Sequence, residues 1–161
     1  MSATIINQTD FPEKRVQKIV RWTLSELDVD LMALVVKVKP TKSHLHSGRF
    51  WPNARTAWTR VWSRETGEER LIKPSLPFGT QHLMVARVPE FPFGYGNRIR
   101  RGGPPKFSPH SWEESLVCIV AHEATHFRQF LFPRVGQPRW SEVQAEWAEY
   151  RLLERWREKK R

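Results

Sequence analysis

The sequence lacks the features that stabilise secreted proteins and anchor membrane proteins. A single cysteine, Cys118, stands among 161 residues, which excludes an intrachain disulfide and a zinc site built only of cysteines. No apolar run approaches the roughly 20 residues that cross a bilayer. The first ten residues lack the basic and apolar regions of a secretory signal. We therefore expect a cytoplasmic protein with no membrane partner.

Aspartate is also scarce, and this scarcity restricts the choice of metal ligands. All three aspartates precede residue 31, and after His126 the chain contains no His, Cys or Asp. Five glutamates are the only acidic residues in that C-terminal part. A metal site that draws a ligand from it must therefore use a glutamate.

Positive charge is abundant. Lys and Arg together number 27 against 17 Asp and Glu, a formal net charge of +10. This balance favours polyanionic partners such as nucleic acid. Two basic segments, residues 98–101 and the charged tail 155–161, could contact phosphates, although plain solvation of a loop and a terminus explains them equally well.

Hydrophobic periodicity predicts a single α+β domain over residues 1–161. An N-terminal amphipathic helix is expected over 11–28, with Asp10 as its N-cap. Two capped helices are expected at the C-terminal end, one from Ser111 to about residue 132 and one that begins after Ser141. Between the N-terminal helix and these two helices we predict a small, mostly antiparallel sheet of three to four strands, with strands at 31–39, 57–64, 70–73 and 81–89. A loop is expected at 41–56, and an irregular basic loop at 90–110.

The chemistry of the chain is concentrated in the segment His122-Glu123-Ala124-Thr125-His126. On a helix, a spacing of four residues places both imidazoles on one face, where they can bind the same metal ion. Glu123 projects beside them, towards a metal-bound water that it could deprotonate as a general base. Zinc suits these ligands, and an open coordination position would make the site catalytic. The alternative is two ordinary histidines on an apolar helix, which would be partly buried without partners.

The last helix is expected to supply the third ligand. Glu142, Glu146 and Glu149 recur at i, i+4 and i+7, so they share one helix face and repel one another unless a cation intervenes. We predict Glu142 as the zinc ligand, with Glu146 as the acceptor that orients a ligating histidine through its other ring nitrogen. Glu146 as the ligand stays open, and so does a solvated stripe neutralised by nearby arginines.

Residues 111–153 resemble the gluzincins, thermolysin-like zinc metallopeptidases that combine His-Glu-x-x-His with a glutamate on a following helix. The resemblance is carried by residues 117–126, Val-Cys-Ile-Val-Ala-His-Glu-Ala-Thr-His, and residues 141–149, Ser-Glu-Val-Gln-Ala-Glu-Trp-Ala-Glu. The second segment is also similar to the Glu-x-x-Ala helix of the phage-immunity antirepressor peptidases. Two positions differ from the gluzincin pattern: Arg128 replaces an apolar residue, and Glu146 replaces an aspartate.

This resemblance implies a small zincin-like fold, in which the strand before the active-site helix, residues 81–89 here, holds the substrate backbone. It implies a Zn²⁺-dependent hydrolase that cleaves peptide bonds, a metalloendopeptidase acting on a protein or peptide. By analogy, the positive charge suggests that these substrates include nucleic-acid-associated proteins. The alternative function is a basic nucleic-acid-binding or interaction protein with a degenerate zincin site.

A few other side chains have an expected role. His44 and His46 are expected to be exposed loop residues, and Cys118 a small buried hydrophobic residue. Peptide hydrolysis also requires a group that stabilises an oxyanion. The candidates for that group are Tyr95, His110, Arg128 and Tyr150.

Overall fold

The computed structural model describes residues 2–30, 33–54, 59–72, 76–77, 79–94, 96–133, 135 and 141–161. Within them the chain forms three helices and six strands, so the expected α+β class is confirmed. None of these helices has the length and apolar character needed to cross a membrane. The elements are β1 (Thr4–Asn7), α1 (Glu13–Glu26), β2 (Leu34–Pro40), β3 (Ser47–Trp51), β4 (Thr59–Trp62), β5 (Glu69–Ile72), β6 (His82–Val88), α2 (Trp112–Leu131) and α3 (Glu142–Lys160).

The main sheet has four strands in the order β1-β2-β6-β3. β2 pairs in parallel with both β1 and β6, and only β3 pairs antiparallel, with β6. The prediction of a mostly antiparallel sheet is therefore wrong, and the sheet is mixed. Parallel neighbours need a crossover connection, and α1 provides the one between β1 and β2.

The predicted strands at 57–64 and 70–73 are confirmed in their described parts. β4 and β5 pair antiparallel as a separate two-stranded sheet. Residues 57–58 and 73, which belonged to the predicted strands, lie outside the described residues.

Two strands of the main sheet have no counterpart in the sequence-based prediction. β1 is only four residues long, too short to show a period. β3 lies within residues 41–56, so the prediction of a loop there is wrong over Ser47–Trp51. Gly48 and Arg49 have little intrinsic preference for a strand, and β3 forms because β6 offers it a partner.

α1 has the predicted amphipathic pattern but a different beginning. Its buried residues include Val16, Ile19 and Leu24, at helical spacing. The prediction of Asp10 as N-cap is wrong, because Pro12 occupies the N-cap and no side chain caps the helix. The Pro12 carbonyl accepts hydrogen bonds from the first turn, at 3.0 Å from each donor nitrogen.

The predicted caps of the two C-terminal helices are confirmed. The Ser111 hydroxyl accepts a hydrogen bond from the Glu114 amide at 3.2 Å. The Ser141 hydroxyl accepts one from the Gln144 amide at 3.3 Å. Each bond satisfies one amide that the first turn of a helix leaves unpaired, so the sequence fixes where both helices begin.

The main sheet is covered by helices on one face, which we call the inner face. Val36 and Met84 on that face share the principal core with α1 and α2, and Trp156 of α3 closes it. Side chains alternate along a strand, so Val35 and Leu83 point to the opposite, outer face, where they form a second, smaller cluster. α2 is therefore held against the sheet, beside the edge strand β3.

The basic loop at 90–110 contains no helix or strand in its described residues, as predicted. Several residues of α3 contact it, two of them near the start of the helix. The Trp147 indole donates to the Gly102 carbonyl at 2.6 Å, and the Arg100 guanidinium donates to a Glu146 carboxylate oxygen at 3.0 Å. Arg100 is therefore paired within the protein.

The segment predicted as a charged tail is the last part of α3 and is paired with the other helices. Arg155 forms an ion pair with Glu26 of α1. On α2, Glu113 pairs with Lys160, and Glu114 accepts from Arg157 at 2.9 Å. Three of the five tail cations thus contact carboxylates of the same chain.

Candidate metal centre

The packing of α2 against α3 brings together the three predicted metal ligands. His122 and His126 lie one turn apart on α2, and Glu142 is the first residue of α3. The Nε2 atoms of the two histidines are 3.1 Å apart. Oε2 of Glu142 lies 3.2 Å from Nε2 of His122, and Oε1 lies 3.1 Å from Nε2 of His126. These three residues could hold a metal ion.

The other nitrogen of each ring faces a hydrogen-bond acceptor. Nδ1 of His122 lies 3.3 Å from Oε2 of Glu149. Nδ1 of His126 lies 2.9 Å from Oε1 of Gln129, and Gln129 is itself oriented by the Ser141 backbone, whose amide donates to Oε1 and whose carbonyl accepts from Nε2. Each Nδ1 can therefore donate a proton to its acceptor, which leaves Nε2 of each ring as the nitrogen that can bind a metal ion.

Two imidazole nitrogens and a carboxylate that converge in this way can hold a cation between them. A tetrahedral zinc ion with bonds of about 2.0–2.1 Å separates its ligand atoms by about 3.3 Å, close to the observed 3.1–3.2 Å. Two imidazoles and one carboxylate are also the ligand types that zinc accepts. The residues present therefore fit the metal that the sequence predicts.

The electrostatics of the site also favour a positive charge there. Burial opposes charge on the His122 ring, but hydrogen bonds to Glu142 and Glu149 outweigh it and raise the pKa of His122 to about 10. The hydrogen bond to His122 lowers the pKa of Glu142 to about 2. A proton on His122 therefore competes with a metal ion for the same position.

Glu149, and not Glu146, is the carboxylate that approaches the far ring nitrogen of a candidate ligand, Nδ1 of His122. The structure places Glu146 against Arg100, away from the role that we predicted for it as the acceptor of a ligating histidine. Glu149 is 1% exposed and approaches Nδ1 of His122. Both residues belong to the glutamate stripe predicted on the last helix. The rotation of α3 about its axis turns Glu149, and not Glu146, towards His122.

His46 is a second neighbour of Glu149 that the sequence did not reveal. Its Nε2 lies 3.4 Å from Oε1 of Glu149, and the residue is 7% exposed. The expectation of an exposed loop residue is therefore wrong for His46. It is confirmed for His44, which is exposed and stacks against Phe93. Cys118 is fully buried, as expected.

Glu123 lies at the floor of the site, where β3 comes closest to α2. A Cβ atom added to Gly48 would meet Ile119 at 2.7 Å and Cγ of Glu123 at 2.9 Å, so only glycine allows this approach. Burial, reinforced by the charges of Glu142 and Glu149, raises the pKa of Glu123 to about 7. A carboxylate with this pKa can both accept and release a proton near neutral pH.

The candidate ligands and Glu123 border a cleft of about 360 Å³. Its other wall is β3, and not the predicted strand at 81–89, because β6 is paired on both sides by β2 and β3. The cleft is lined by Gly48, Arg49, Phe50, His122, Glu123, His126 and Glu142.

None of the described oxyanion candidates lines this cleft. His110 is exposed before α2, and Arg128 is exposed near the end of that helix. Tyr150 packs against Phe107 and Trp147. Tyr95 lies outside the described residues.

Of the residues that sequence reasoning missed, only Gln129 carried a readable signal. It follows His126 by three residues, a spacing at which two side chains meet on a helix. Gly48 and His46 depend on the pairing of β3, which was not predicted. The chain matches no family model, no curated protein and no solved structure, so its function must be inferred from its own residues.

Proposed function

We propose that the protein is a zinc-dependent metalloendopeptidase of the zincin-like type, in which His122, His126 and Glu142 hold Zn²⁺. The observation that carries this proposal is the convergence of three possible ligand atoms, with each ring facing an acceptor at its far nitrogen. The order of an N-terminal helix, a sheet, a motif helix and a ligand helix supports the zincin-like type.

Peptide hydrolysis needs a base, an acid and an activated carbonyl. When bound, zinc supplies a Lewis acid that polarises the carbonyl and makes water more acidic. Glu123 takes a proton from the attacking water at a carboxylate oxygen and passes it to the nitrogen of the leaving amine. Burial raises the pKa of Glu123 in the metal-free site, which favours the uptake of a proton by this carboxylate.

The substrate backbone has a place beside β3. This strand is at the edge of the main sheet and lines the cleft through Gly48, Arg49 and Phe50. An extended peptide can add to such an edge by main-chain hydrogen bonds. Since backbone groups make these bonds, the substrate class is protein or peptide.

Metal content tests the first part of the proposal. The purified protein, equilibrated with zinc and desalted, is expected to retain about one zinc per chain, and His126→Ala to lose it. Elemental analysis gives the ratio. A folded wild-type chain that retains no zinc under these conditions would exclude the site.

Turnover tests the second part. Glu123→Gln removes the base but none of the proposed ligands, so we expect zinc content to stay and cleavage of an unstructured protein to fall by at least about 10²-fold. Glu90→Gln, an exposed residue away from the cleft, is the matched control and should cleave normally. A wild type that binds zinc but cleaves nothing would favour the alternative, an interaction protein with a degenerate site.

A further inference from the structure

The register of the main sheet collects four basic side chains on its outer face. Lys39 of β2 lies directly opposite Arg87 of β6. One row along, Lys37 and Arg49 flank Val85. Alternation places all four on the outer face, beside the cluster of Val35 and Leu83. We call these four residues the sheet-face basic cluster.

No carboxylate forms an ion pair with the sheet-face basic cluster in the part of the chain that the structure describes. The ion pairs there involve the tail cations, Arg15 and Arg100, together with the histidines of the site. The guanidinium of Arg49 lies 5.1 Å from the Trp51 centroid, and its charge also acts on Glu123 without forming an ion pair. The free cations of the sheet are thus distinct from the two basic segments that the sequence singled out.

This arrangement costs stability when no anion is bound. Like charges directly opposite on neighbouring strands repel, and Lys37, Lys39 and Arg87 are half-buried. Burial, followed by the charges of Arg87 and Lys37, lowers the pKa of Lys39. A polyanion would relieve this repulsion.

Exposed aromatic side chains lie at the same end of the sheet. Because β3 runs antiparallel to β6, its start at Ser47 lies beside Arg87, so the segments around His44 and Phe93 meet there. The Phe93 amide donates to the His44 carbonyl at 3.3 Å, and the two rings are 3.9 Å apart. Phe91 is 74% and Phe93 62% exposed. Rings beside cations suit nucleic-acid bases beside phosphates.

We propose that the outer face of the sheet binds single-stranded nucleic acid, with phosphates on the sheet-face basic cluster and bases stacked on Phe91 and Phe93. A single strand is thin enough to reach half-buried cations and has unpaired bases to stack, whereas a duplex has its bases stacked internally. This inference goes beyond the proposed peptidase activity and does not depend on it.

Fluorescence anisotropy of a labelled polypyrimidine strand of about 16 nucleotides tests the proposal. Four phosphate contacts predict a slope of about −2.8 for the logarithm of the association constant against the logarithm of the salt concentration. Lys39→Gln with Arg87→Gln should weaken binding about tenfold and reduce the slope by about 1.4. Phe91→Ala with Phe93→Ala should weaken binding and leave the slope unchanged.

Lys14→Gln with Lys18→Gln is the matched control, since it removes two exposed charges from α1 on the other side of the sheet. We expect it to bind as wild type does, and Glu123→Gln likewise. The Lys39 and Arg87 changes remove a repulsion, so the melting temperature should not fall. If that double variant nevertheless fails to fold, Arg49→Gln, at an exposed position, should still reduce the slope by about 0.7.

Three results would overturn the proposal. Equal losses in the α1 control and in the sheet variant would show that net charge alone drives binding. Equal or tighter binding of a duplex would exclude base stacking. Binding to phosphatidylserine vesicles without binding to the strand would assign the surface to a membrane instead.

Discussion

A buried glutamate, Glu149, connects His122 of the motif with His46, which lies far from it in the sequence. Oε2 of Glu149 lies within hydrogen-bond distance of Nδ1 of His122, and Oε1 lies within that distance of Nε2 of His46. Burial opposes its charge, but these hydrogen bonds keep the pKa of Glu149 below its usual range. The carboxylate therefore stays ionised and holds the proton on Nδ1 of His122, which leaves Nε2 as a ligand.

Removal of the Glu149 charge should therefore weaken the metal site. Glu149→Gln keeps the shape of the side chain and removes the charge, and we expect zinc affinity to fall by about 10–100-fold. Glu146→Gln makes the same chemical change three residues earlier, on the carboxylate that pairs with Arg100, and should leave zinc affinity unchanged. Competition with a chromogenic chelator measures both. A larger loss in Glu146→Gln would restore the role predicted from sequence.

At the scale of elements, the beginning of α3 fixes the position of the third ligand. The Ser141 hydroxyl caps the helix, and the Ser141 backbone holds the Gln129 amide, which orients His126. Glu142 follows directly. One residue thus defines where the helix starts and links the start to the helix that carries both histidines.

Removing the two confirmed caps separates helix stability from metal binding. Ser141→Ala and Ser111→Ala should each lower the free energy of unfolding by about 1 kcal/mol, because each leaves a first-turn amide unpaired. Only Ser141→Ala should also weaken zinc binding, since only that cap adjoins a proposed ligand. Urea unfolding of the metal-free protein and zinc titration give the two quantities. Equal zinc affinities in the two variants would contradict this role of the cap.

The elements that could be predicted from the sequence are those whose signals lie within a single segment of the chain. α2 and α3 begin at serines that precede apolar runs, and the spacing of His122 and His126 is a property of one helix. β1 and β3 form through partners distant in sequence, and parallel and antiparallel strands have the same alternation, so neither the strands nor the mixed pairing could be read. The exchange of Glu146 for Glu149 depends on how α3 rotates against α2, which no single segment encodes.

At the scale of the whole molecule, scarce carboxylates hold the helices of a strongly basic chain together. Glu113 accepts from Arg15 of α1 at 2.8 Å and also pairs with Lys160 of α3. The neighbouring Glu114 binds Arg157. With a net charge of +10, the protein depends on these few anions to offset repulsion among its cations.

Acid should therefore loosen the contact among the three helices. The hydrogen bond to Arg15, opposed by burial and aided by Lys160, lowers the pKa of Glu113 to about 2. Because the folded pKa lies below the ordinary value near 4.5, this stabilisation is complete above that value and is lost as the pH falls towards 2. We expect Glu113→Gln to lose about 1–2 kcal/mol at neutral pH and to show a flatter decline in acid.

Urea unfolding followed by circular dichroism at several pH values measures this dependence. Glu158→Gln, at an exposed position late in α3, should reproduce the wild-type curve. Wild-type and Glu113→Gln curves that run parallel through the acid range would rule out Glu113 as the responsible group.

The position of β3 at the edge of the sheet also bears on self-association. An open edge can pair with the same edge of another copy, which is a common route to aggregation, and such pairing would close the cleft of both molecules. Arg49 is exposed on β3, and two copies aligned edge to edge would bring two such arginines close together. The protein should therefore resist self-pairing while leaving the edge open to strands that lack positive charge, acidic segments above all.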